Sequence, residues 1–313
     1  MKSELVERIL SAFGISEPPE DVRYFFAEED GEPYSVWRVT WPDRIAVLKR
    51  TTVEEREVYE TFFGPGGGPV PEIYGFAELD DWLYMLMEYV EGETLSHCTR
   101  EKLIPALDAL IETQERFWGD TGREHVGYCF DVCLSHREKR LPYMGDLTDA
   151  YRAYLEAFRT LPRTLCNDDM LPFNVVAGGD RAVILDWEYG GILPWPCALA
   201  RFLAFGEELE EDEEPGDDDL FLMTDEDRKF ALDYFFEHFI REKGVSRAEY
   251  DRTMKLFFFK EYSEWIYCAA NGGEKDERYE KNLARARRLA KELKELPDQK
   301  GGTCHEDENP DSR

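Results

Sequence analysis

The segment spanning residues 165–189 reads LCNDDMLPFNVVAGGDRAVILDWEY. Two short apolar runs, NVVA and AVIL, flank a Gly-Gly-Asp turn, and this pattern predicts a β-hairpin. A carboxylate precedes the hairpin at Asp169, an amide opens it at Asn174, and a second carboxylate closes it at Asp186. Because a hairpin returns to the end where it began, we expect Asn174 and Asp186 to lie together, beside Asp169.

These three side chains match the chemical needs of phosphoryl transfer from ATP. One carboxylate must orient and deprotonate the attacking hydroxyl, while an amide oxygen and another carboxylate hold the Mg²⁺ ions that bridge the phosphates. The spacing D-x-x-x-x-N, followed by an apolar strand and a further aspartate, is typical of a kinase catalytic loop and its metal-binding residue. The alternative is a polar turn between two buried strands, whose acids only cap and solvate it.

The segment resembles the aminoglycoside phosphotransferase and choline kinase-like family, whose loop usually reads L-C-H-G-D-x-x-x-x-N and is followed by I-D-W-E-Y. The matching residues are Leu165, Cys166, Asp169, Asn174, Asp186, Trp187, Glu188 and Tyr189. The resemblance implies an α+β, bilobal protein kinase-like fold with a five-stranded antiparallel N-lobe sheet, one main N-lobe helix and a mostly helical C-lobe. We assign residues 1–88 to an ATP-binding lobe, 89–297 to a catalytic and substrate lobe, and 298–313 to a disordered tail.

Lys49 ends the apolar run IAVLK, which follows two other predicted strands. This run matches the strand that presents a lysine to the α- and β-phosphates of ATP. The turn at 28–32, where a kinase covers the phosphates, holds one glycine and no G-x-G-x-x-G signature. That absence argues against a protein kinase and is usual in the small-molecule phosphotransferases that the chain resembles.

The helix after the lysine strand is predicted to begin at Val53, because Thr52 and Glu55 form a capping-box pattern. In a kinase this helix supplies a glutamate that pairs with the lysine. The resemblance indicates Glu57 for that role, with Glu54 or Glu60 as alternatives, or a solvated acidic face. The glycines at 66–68 are interpreted as a helix cap and loop rather than as a phosphate cradle.

The segment MEYVEGETL at 87–95 resembles the family's hinge between the lobes. In relatives, backbone groups at this point hydrogen-bond adenine. We therefore expect the backbone at Glu88 and Val90 to bind the nucleotide.

The chain departs from the family pattern at three positions. Asn167 stands where a histidine usually holds the loop, and Asp168 replaces a glycine. Ala198 replaces an aspartate that usually anchors the loop backbone. Asp168 also brings a second carboxylate next to Asp169, which could compete with it for the ionised form.

Three further residues are candidates for the acceptor side of the site. The resemblance implies that Glu188 helps to organise the metal or the substrate, the alternative being a plain salt bridge to the loop. Tyr262 and Trp265 fall where choline kinase-like enzymes carry a cation-binding aromatic box. Core packing of their helix is the alternative interpretation.

Composition limits the classes of partner. The chain of 313 residues carries 38 Lys and Arg against 68 Asp and Glu, a formal charge of −30. This balance disfavours nucleic acid and anionic membranes and favours a cationic small molecule. Ten of the thirteen residues at 207–219 are acidic, which is more typical of a solvated loop than of a binding patch. Seven cysteines without framework spacing, no secretory signal and no long apolar run predict a cytoplasmic protein without a membrane span.

Together these features predict an ATP- and Mg²⁺-dependent kinase that acts on a hydroxyl group of a small, aminoglycoside- or choline-like molecule. The alternative is a nucleotide-binding pseudo-enzyme with the same fold, motivated by Asn167 and Ala198.

Overall fold

The computed structural model describes residues 2–26, 33–64, 67–205 and 222–295. Its N-terminal part is a five-stranded antiparallel sheet with the strand order β1-β2-β3-β5-β4. The strands are β1 (Asp21–Phe26), β2 (Pro33–Thr40), β3 (Ile45–Thr51), β4 (Ile73–Leu79) and β5 (Trp82–Glu88). The predicted N-lobe sheet is therefore confirmed.

The two faces of this sheet bury different partners, as the alternation of side chains along a strand requires. Ala46 and Leu48 of β3 pack in a cluster with helix α1 (Lys2–Ala12). Val47, from the same strand, packs in the larger core that continues into the C-terminal half. Lys49, two residues after Val47, projects from that same inner face, where helix α2 (Val53–Val58) and the following π-helical turn Tyr59–Phe63 lie.

The C-terminal part is mainly helical. Its helices are α3 (Arg100–Arg116), α4 (Phe130–Glu138), α5 (Thr148–Thr160), α6 (Pro196–Leu203), α7 (Asp225–His238), α8 (Arg247–Ala270) and α9 (Glu277–Glu295). Its short strands are β6 (Glu93–Thr94), β7 (Arg163–Asn167), β8 (Val175–Gly178), β9 (Arg181–Ile184) and β10 (Gly190–Pro194). They form a three-stranded sheet, β6-β8-β9, and a two-stranded sheet, β10-β7.

The predicted hairpin is formed by β8 and β9. Val175 pairs with Ile184, and the amide of Leu185 donates to the carbonyl of Asn174 at 2.7 Å. This pairing brings Asn174 and Asp186 to the same end of the hairpin. Strand β7 enters the loop before the hairpin, and β10 leaves it beside β7, so that Gly190 lies opposite Asn167.

Two helices of the C-terminal half begin with a side-chain cap. The Thr224 side chain accepts a hydrogen bond from the amide of Asp227 at the start of α7. Ser246 and Glu249 form the complete reciprocal capping box at the start of α8. The stretch from residue 119 to 147, which lacks a clear apolar periodicity, contains α4 and two short 3₁₀ turns.

Four sequence-based expectations concern residues outside those that the structure describes. They are the turn at 28–32, the glycine loop at Gly66, the acidic run at 207–219 and the tail at 298–313. Within the described ranges, no helix has both the length and the apolar character needed to cross a bilayer.

Candidate active site

The residues of the predicted catalytic loop converge at the open end of the β8–β9 hairpin. The Asn174 side-chain amide donates to the backbone carbonyl of Asp169 at 2.8 Å. Because the nitrogen of the Asn174 amide is used in this way, its oxygen is the atom left to bind a metal. Asp186 follows the hairpin with a left-handed backbone, φ 54° and ψ 70°, a conformation that is uncommon outside glycine and clusters at functional sites.

Lys49 crosses from the N-terminal sheet to reach this group. Its Nζ lies 2.8 Å from Asp186 Oδ1 and 2.8 Å from Glu55 Oε1. Burial alone would lower the pKa of the lysine, but the two carboxylates outweigh burial and raise the pKa above its ordinary value. Lys49 is therefore a fixed positive charge beside Asp186.

The glutamate that pairs with Lys49 is Glu55, so the assignment of this role to Glu57 is wrong. Glu55 is buried, with a side chain 2% exposed, whereas Glu57 lies on the exposed face of α2. Glu55 also accepts hydrogen bonds from Thr51 Oγ1 at 2.5 Å and from the backbone amide of Trp187 at 3.2 Å. It thus links the sheet, α2 and the residue after Asp186.

The error has a local cause. The sequence pattern assigns Glu55 to a capping box with Thr52, and Thr52 does accept the Glu55 amide at 3.2 Å. The second hydrogen bond of the capping box, in which the glutamate carboxylate accepts from the Thr52 amide, is replaced. The Glu55 carboxylate turns inward and accepts from Lys49 and Thr51 instead. The sequence feature that could have indicated Glu55 was the short interval between Lys49 and the start of α2.

Asn167, which departs from the histidine of the predicted pattern, bridges the loop and the end of the hairpin. Its side-chain nitrogen donates to the carbonyls of Leu185 at 3.1 Å and Asp186 at 2.9 Å. Its side-chain oxygen accepts from the amide of Asp169 at 2.9 Å. One buried amide therefore ties the loop that carries Asp169 to the segment that carries Asp186.

Asp168 is paired with an arginine from α4. Both oxygens of Asp168 accept from Nη2 of Arg137, at 2.7 and 2.8 Å. Burial opposes ionisation of Asp168, but the Arg137 guanidinium holds the pKa of this carboxyl below its usual value. No sequence pattern pointed to Arg137, which lies 31 residues earlier on α4.

Asp169 is paired with Arg201 of α6, a residue that the sequence did not single out. Arg201 donates to Asp169 Oδ1 from Nη2 at 2.8 Å and from Nε at 3.2 Å. Burial raises the pKa of Asp169, Arg201 opposes the rise, and Asp186 and Asp168 add to it. The result is a pKa above the ordinary value of an aspartate, which would suit the base role predicted for Asp169.

The hinge segment is held by side chains as well as by backbone. The Glu88 carboxylate accepts from both terminal nitrogens of Arg181, at 2.7 and 3.0 Å, which connects the end of β5 to β9. Glu88 and Val90 border an open pocket of about 770 Å³, together with the β2–β3 turn and Gly178. Its lining does not include Lys49 or Asp186, so the pocket covers the hinge side of the site only. Nucleotide binding by this backbone stays a prediction.

The two candidate cation-binding rings, Tyr262 and Trp265, lie against helix α9. Tyr262 is buried, its hydroxyl donates to the carbonyl of Ala204 at 2.8 Å, and Arg285 lies 5.4 Å from its ring centre. Arg278 lies 5.8 Å from the ring centre of Trp265. Helix α9 thus places an arginine beside each ring, and Tyr262 is buried in the core. The structure therefore supports core packing, rather than an open aromatic box, for Tyr262.

Glu188 lies at the exposed edge of the site. Burial and the carboxylates of Asp186 and Glu55 raise its pKa, and Lys49 opposes the rise. Within the described residues no ion pair joins Glu188 to the loop, as a purely structural salt bridge would require. Its proximity to Asp186 leaves a role near the metal as a prediction.

The donor set fits magnesium better than a transition metal. No cluster of three or more His, Cys, Asp or Glu side chains suited to a metal occurs in the described part of the chain. Asp186 and Asn174 instead offer one carboxylate oxygen and one amide oxygen. Mg²⁺ is commonly held by one or two protein oxygens together with substrate phosphates and water.

A bilobal arrangement in which a sheet lysine, a helix glutamate and a hairpin aspartate meet above a D-x-x-x-x-N loop defines the protein kinase-like fold. Residues 21–228 match the model of the phosphotransferase enzyme family named APH, and the chain belongs to this family. No curated protein matches the sequence.

Solved structures show the same fold at low sequence identity. A choline/ethanolamine kinase family protein from Mesorhizobium loti superimposes with a TM-score of 0.61 at 15% identity, covering 95% of this chain and 96% of the other. An aminoglycoside phosphotransferase from Alicyclobacillus acidocaldarius gives 0.58 at 13%, covering 92% and 95%. A thermostable mutant of the aminoglycoside phosphotransferase APH(4)-Ia, in ternary complex with AMP-PNP and hygromycin B, gives 0.55 at 14%, covering 92% and 97%.

Proposed function

We propose that this protein is an ATP- and Mg²⁺-dependent phosphotransferase that acts on a hydroxyl group of a small molecule. The observation that carries the proposal is the contact of Lys49 Nζ with Asp186 Oδ1 at 2.8 Å, beside Asn174 and Asp169. Family membership and the solved complex of a relative with AMP-PNP and hygromycin B support it.

Each residue has a distinct part in the proposed reaction. Magnesium-bound ATP supplies the phosphoryl group, and the metal neutralises its charge. Asn174 and Asp186 would hold the metal through oxygen, and Lys49 would steady the phosphates while Glu55 fixes its reach. Asp169 would accept a hydrogen bond from the acceptor hydroxyl and take its proton.

The acceptor is proposed to be an aminoglycoside, an amino alcohol or a similar hydroxylated molecule, and the charge of −30 favours a cation. A cytoplasmic site of action is part of the proposal. The described cysteines, which all carry free thiols, agree with a reducing compartment.

The second candidate is a nucleotide-binding protein without turnover. It is motivated by the departures at Asn167 and Ala198 from the family pattern. The three hydrogen bonds of Asn167 weaken this case, because they join the base loop to the metal segment.

The test is ADP release in the presence of ATP and Mg²⁺, measured across a panel of aminoglycosides and amino alcohols. The Asp169→Ala variant removes the proposed base, and Asp180→Ala changes an exposed acid in the hairpin turn as a matched control. We expect acceptor-dependent turnover in the wild type and in Asp180→Ala only. Turnover that survives Asp169→Ala would overturn the mechanism, and nucleotide binding without turnover on any acceptor would favour the second candidate.

A further inference from the structure

Arg38 lies on the inner face of the N-terminal sheet, the face that also carries Lys49. Side chains alternate along β2, so that Trp37 and Val39 pack in the cluster with α1, whereas Val36 packs against the larger core on the other side. Val36 pairs with Lys49 of β3. Arg38, two residues after Val36, therefore faces the proposed nucleotide site.

Strand register places Arg38 one row closer to the hinge than Lys49. Arg38 pairs with Val47 of β3, and Val47 pairs with Met87 of β5. These three side chains form a row across the inner face, and the row ends beside Glu88, the last residue of β5. A nucleotide with its phosphates at Lys49 and its base at the hinge would therefore have its base under this row.

The guanidinium of Arg38 extends to the hinge itself. Its central carbon lies 4.9 Å from the centre of the Tyr89 ring, which is within the range of a cation–π contact. Tyr89 is half-buried and packs against the larger core, so its ring is held in place. An aromatic ring thus backs the guanidinium at the point where the base of a nucleotide would lie.

Arg38 has neither a carboxylate partner nor a hydrogen-bond acceptor among the described residues. Its Nε is buried and donates to no atom in that part of the chain. By contrast, Lys49, Arg137, Arg181 and Arg201 near the site are each paired with a carboxylate. Burying a donor without an acceptor is unfavourable, and a bound ligand is one way in which such a donor becomes satisfied.

The chemistry of a guanidinium suits a nucleobase in this position. A guanidinium carries a positive charge, has only donors and stacks on flat aromatic rings. Every nucleobase offers an aromatic face on which such a group can stack, and its edges carry hydrogen-bond acceptors. The phosphates are the less suitable partner, because Lys49 provides their cation one row further from the hinge.

We propose that Arg38 is a base-binding residue: its guanidinium, backed by Tyr89, stacks on the base of the nucleotide from the side of the sheet and does not bind the phosphates. The proposal rests on the proposed function, which supplies the nucleotide. It goes beyond the backbone contacts predicted at Glu88 and Val90, because it assigns part of the affinity for the base to a side chain of β2.

The test compares three ligands in the full chain, in the presence of Mg²⁺ and without an acceptor. Calorimetry measures the affinity for AMP-PNP, and displacement of AMP-PNP measures the affinities for adenosine, which lacks phosphates, and for inorganic tripolyphosphate, which lacks the base. We expect Arg38→Met to weaken AMP-PNP and adenosine by the same factor, about 3- to 30-fold. Tripolyphosphate should bind within about twofold of its wild-type affinity. Arg38→Lys, which keeps the charge without the plane, should fall between the wild type and Arg38→Met.

The matched control is Arg50→Met. Arg50 lies on β3 of the same sheet, and its guanidinium carbon is 4.2 Å from the centre of the Trp82 ring. Because Arg50 directly follows Lys49, its side chain points to the opposite face of the sheet. Arg50→Met thus removes the same kind of stacked guanidinium and should leave all three affinities unchanged.

Three results would overturn the proposal. They are unchanged AMP-PNP affinity in Arg38→Met, an equal loss in Arg50→Met, and an equal loss for tripolyphosphate, which would assign Arg38 to the phosphates. If Arg38→Met does not fold, Arg38→Lys and Tyr89→Leu decide, because the second variant removes the backing ring and should also weaken AMP-PNP and adenosine alone. A wild type that binds AMP-PNP no differently from Arg38→Met refutes only the role of Arg38. A wild type that binds none of the three ligands refutes the proposed function as well.

A second readout applies once an acceptor is found. A contact with the base is made equally in the ground state and in the transition state, so Arg38→Met should raise the KM for ATP and leave kcat nearly unchanged. A lower kcat at saturating ATP with an unchanged KM would place Arg38 in the transfer step and overturn its assignment to the base.

Discussion

The two sides of the catalytic loop differ in how closely they keep the family pattern. The side toward the N-terminal sheet keeps Lys49, Asn174 and Asp186, with a glutamate on α2, and Lys49 contacts both that glutamate and Asp186. The side toward the helices replaces a histidine, a glycine and an aspartate by Asn167, Asp168 and Ala198.

On the side toward the helices, other side-chain contacts support the loop in place of the replaced family residues. Asn167 bridges three backbone groups, Arg137 pairs with Asp168, and Arg201 holds Asp169. The contrast agrees with the proposed function, because groups that would bind phosphates and Mg²⁺ must supply particular atoms and so allow few chemical alternatives. The groups that support the loop only have to satisfy buried polar atoms, and several side chains can do so.

A substitution on the side that keeps the family pattern should have the largest effect on turnover and nucleotide binding. Asp186→Ala removes both the proposed metal ligand and the partner of Lys49. We expect turnover to fall at least about 10²-fold and nucleotide affinity to lose its dependence on Mg²⁺. Isothermal titration calorimetry with a non-hydrolysable ATP analogue, with and without Mg²⁺, measures this. Affinity that still responds to Mg²⁺ as in the wild type would show that the metal is bound elsewhere.

The side toward the helices should be more important for stability. Arg137→Met leaves the Asp168 carboxylate buried without its partner, which we expect to cost about 3 to 5 kcal/mol in the free energy of unfolding. The exposed pair Arg159 and Glu138 offers a control, since Arg159→Met should cost about 1 kcal/mol or less. Chemical denaturation measures both. Equal losses in the two variants would contradict the assignment of Asp168 and Arg137 as a buried structural pair.

The same pair gives stability a dependence on pH. Because the folded-state pKa of Asp168 is lowered, its contribution is present above the ordinary aspartate pKa and is lost as the pH falls through the folded value. The unfolding free energy of the wild type should therefore fall on acidification below about pH 5 more steeply than that of Asp168→Asn. Parallel slopes would mean that Asp168 is not held ionised by Arg137.

Variants of two glutamates on α2 test how Lys49 is supported on the side toward the sheet, with a smaller expected effect. Glu55→Gln weakens the support of Lys49 and should reduce turnover roughly 10- to 100-fold, the usual range for a residue that orients a ligand-binding group. Glu57→Gln, two residues away and exposed, should change turnover by no more than about twofold. Steady-state kinetics on the two variants is the measurement. A larger effect from Glu57→Gln would restore the role that the sequence pattern assigned to it.

The sequence predicted those contacts that follow from local backbone geometry. Asp169, Asn174 and Asp186 lie in or beside one hairpin, so their meeting follows from strand register and a turn. Glu55 was missed because its neighbour Thr52 offered a complete local explanation for it as part of a cap. For Tyr262 the sequence left a ligand box and core packing both open, because an aromatic residue on a helix has the same pattern in either setting.

Partners distant in the sequence could not be predicted. Arg201 and Asp169 are 32 residues apart, and Arg201 and Glu261 are 60 apart, with no periodic pattern to connect them. Such contacts depend on how helices α6 and α8 pack against the loop. Only the tertiary structure could show that two arginines support the loop where the family's glycine and aspartate are missing.

The proposed mechanism requires Asp169 to act on the acceptor while the neighbouring groups bind the nucleotide. Asp169→Asn separates these two roles when it is compared with the wild type in acceptor-dependent ADP release and in calorimetric affinity for a Mg²⁺-nucleotide analogue. We expect ADP release to fall about 10²- to 10⁴-fold while nucleotide affinity stays within about twofold. ADP release close to that of the wild type, or a matching loss of nucleotide affinity, would show that Asp169 is not the base.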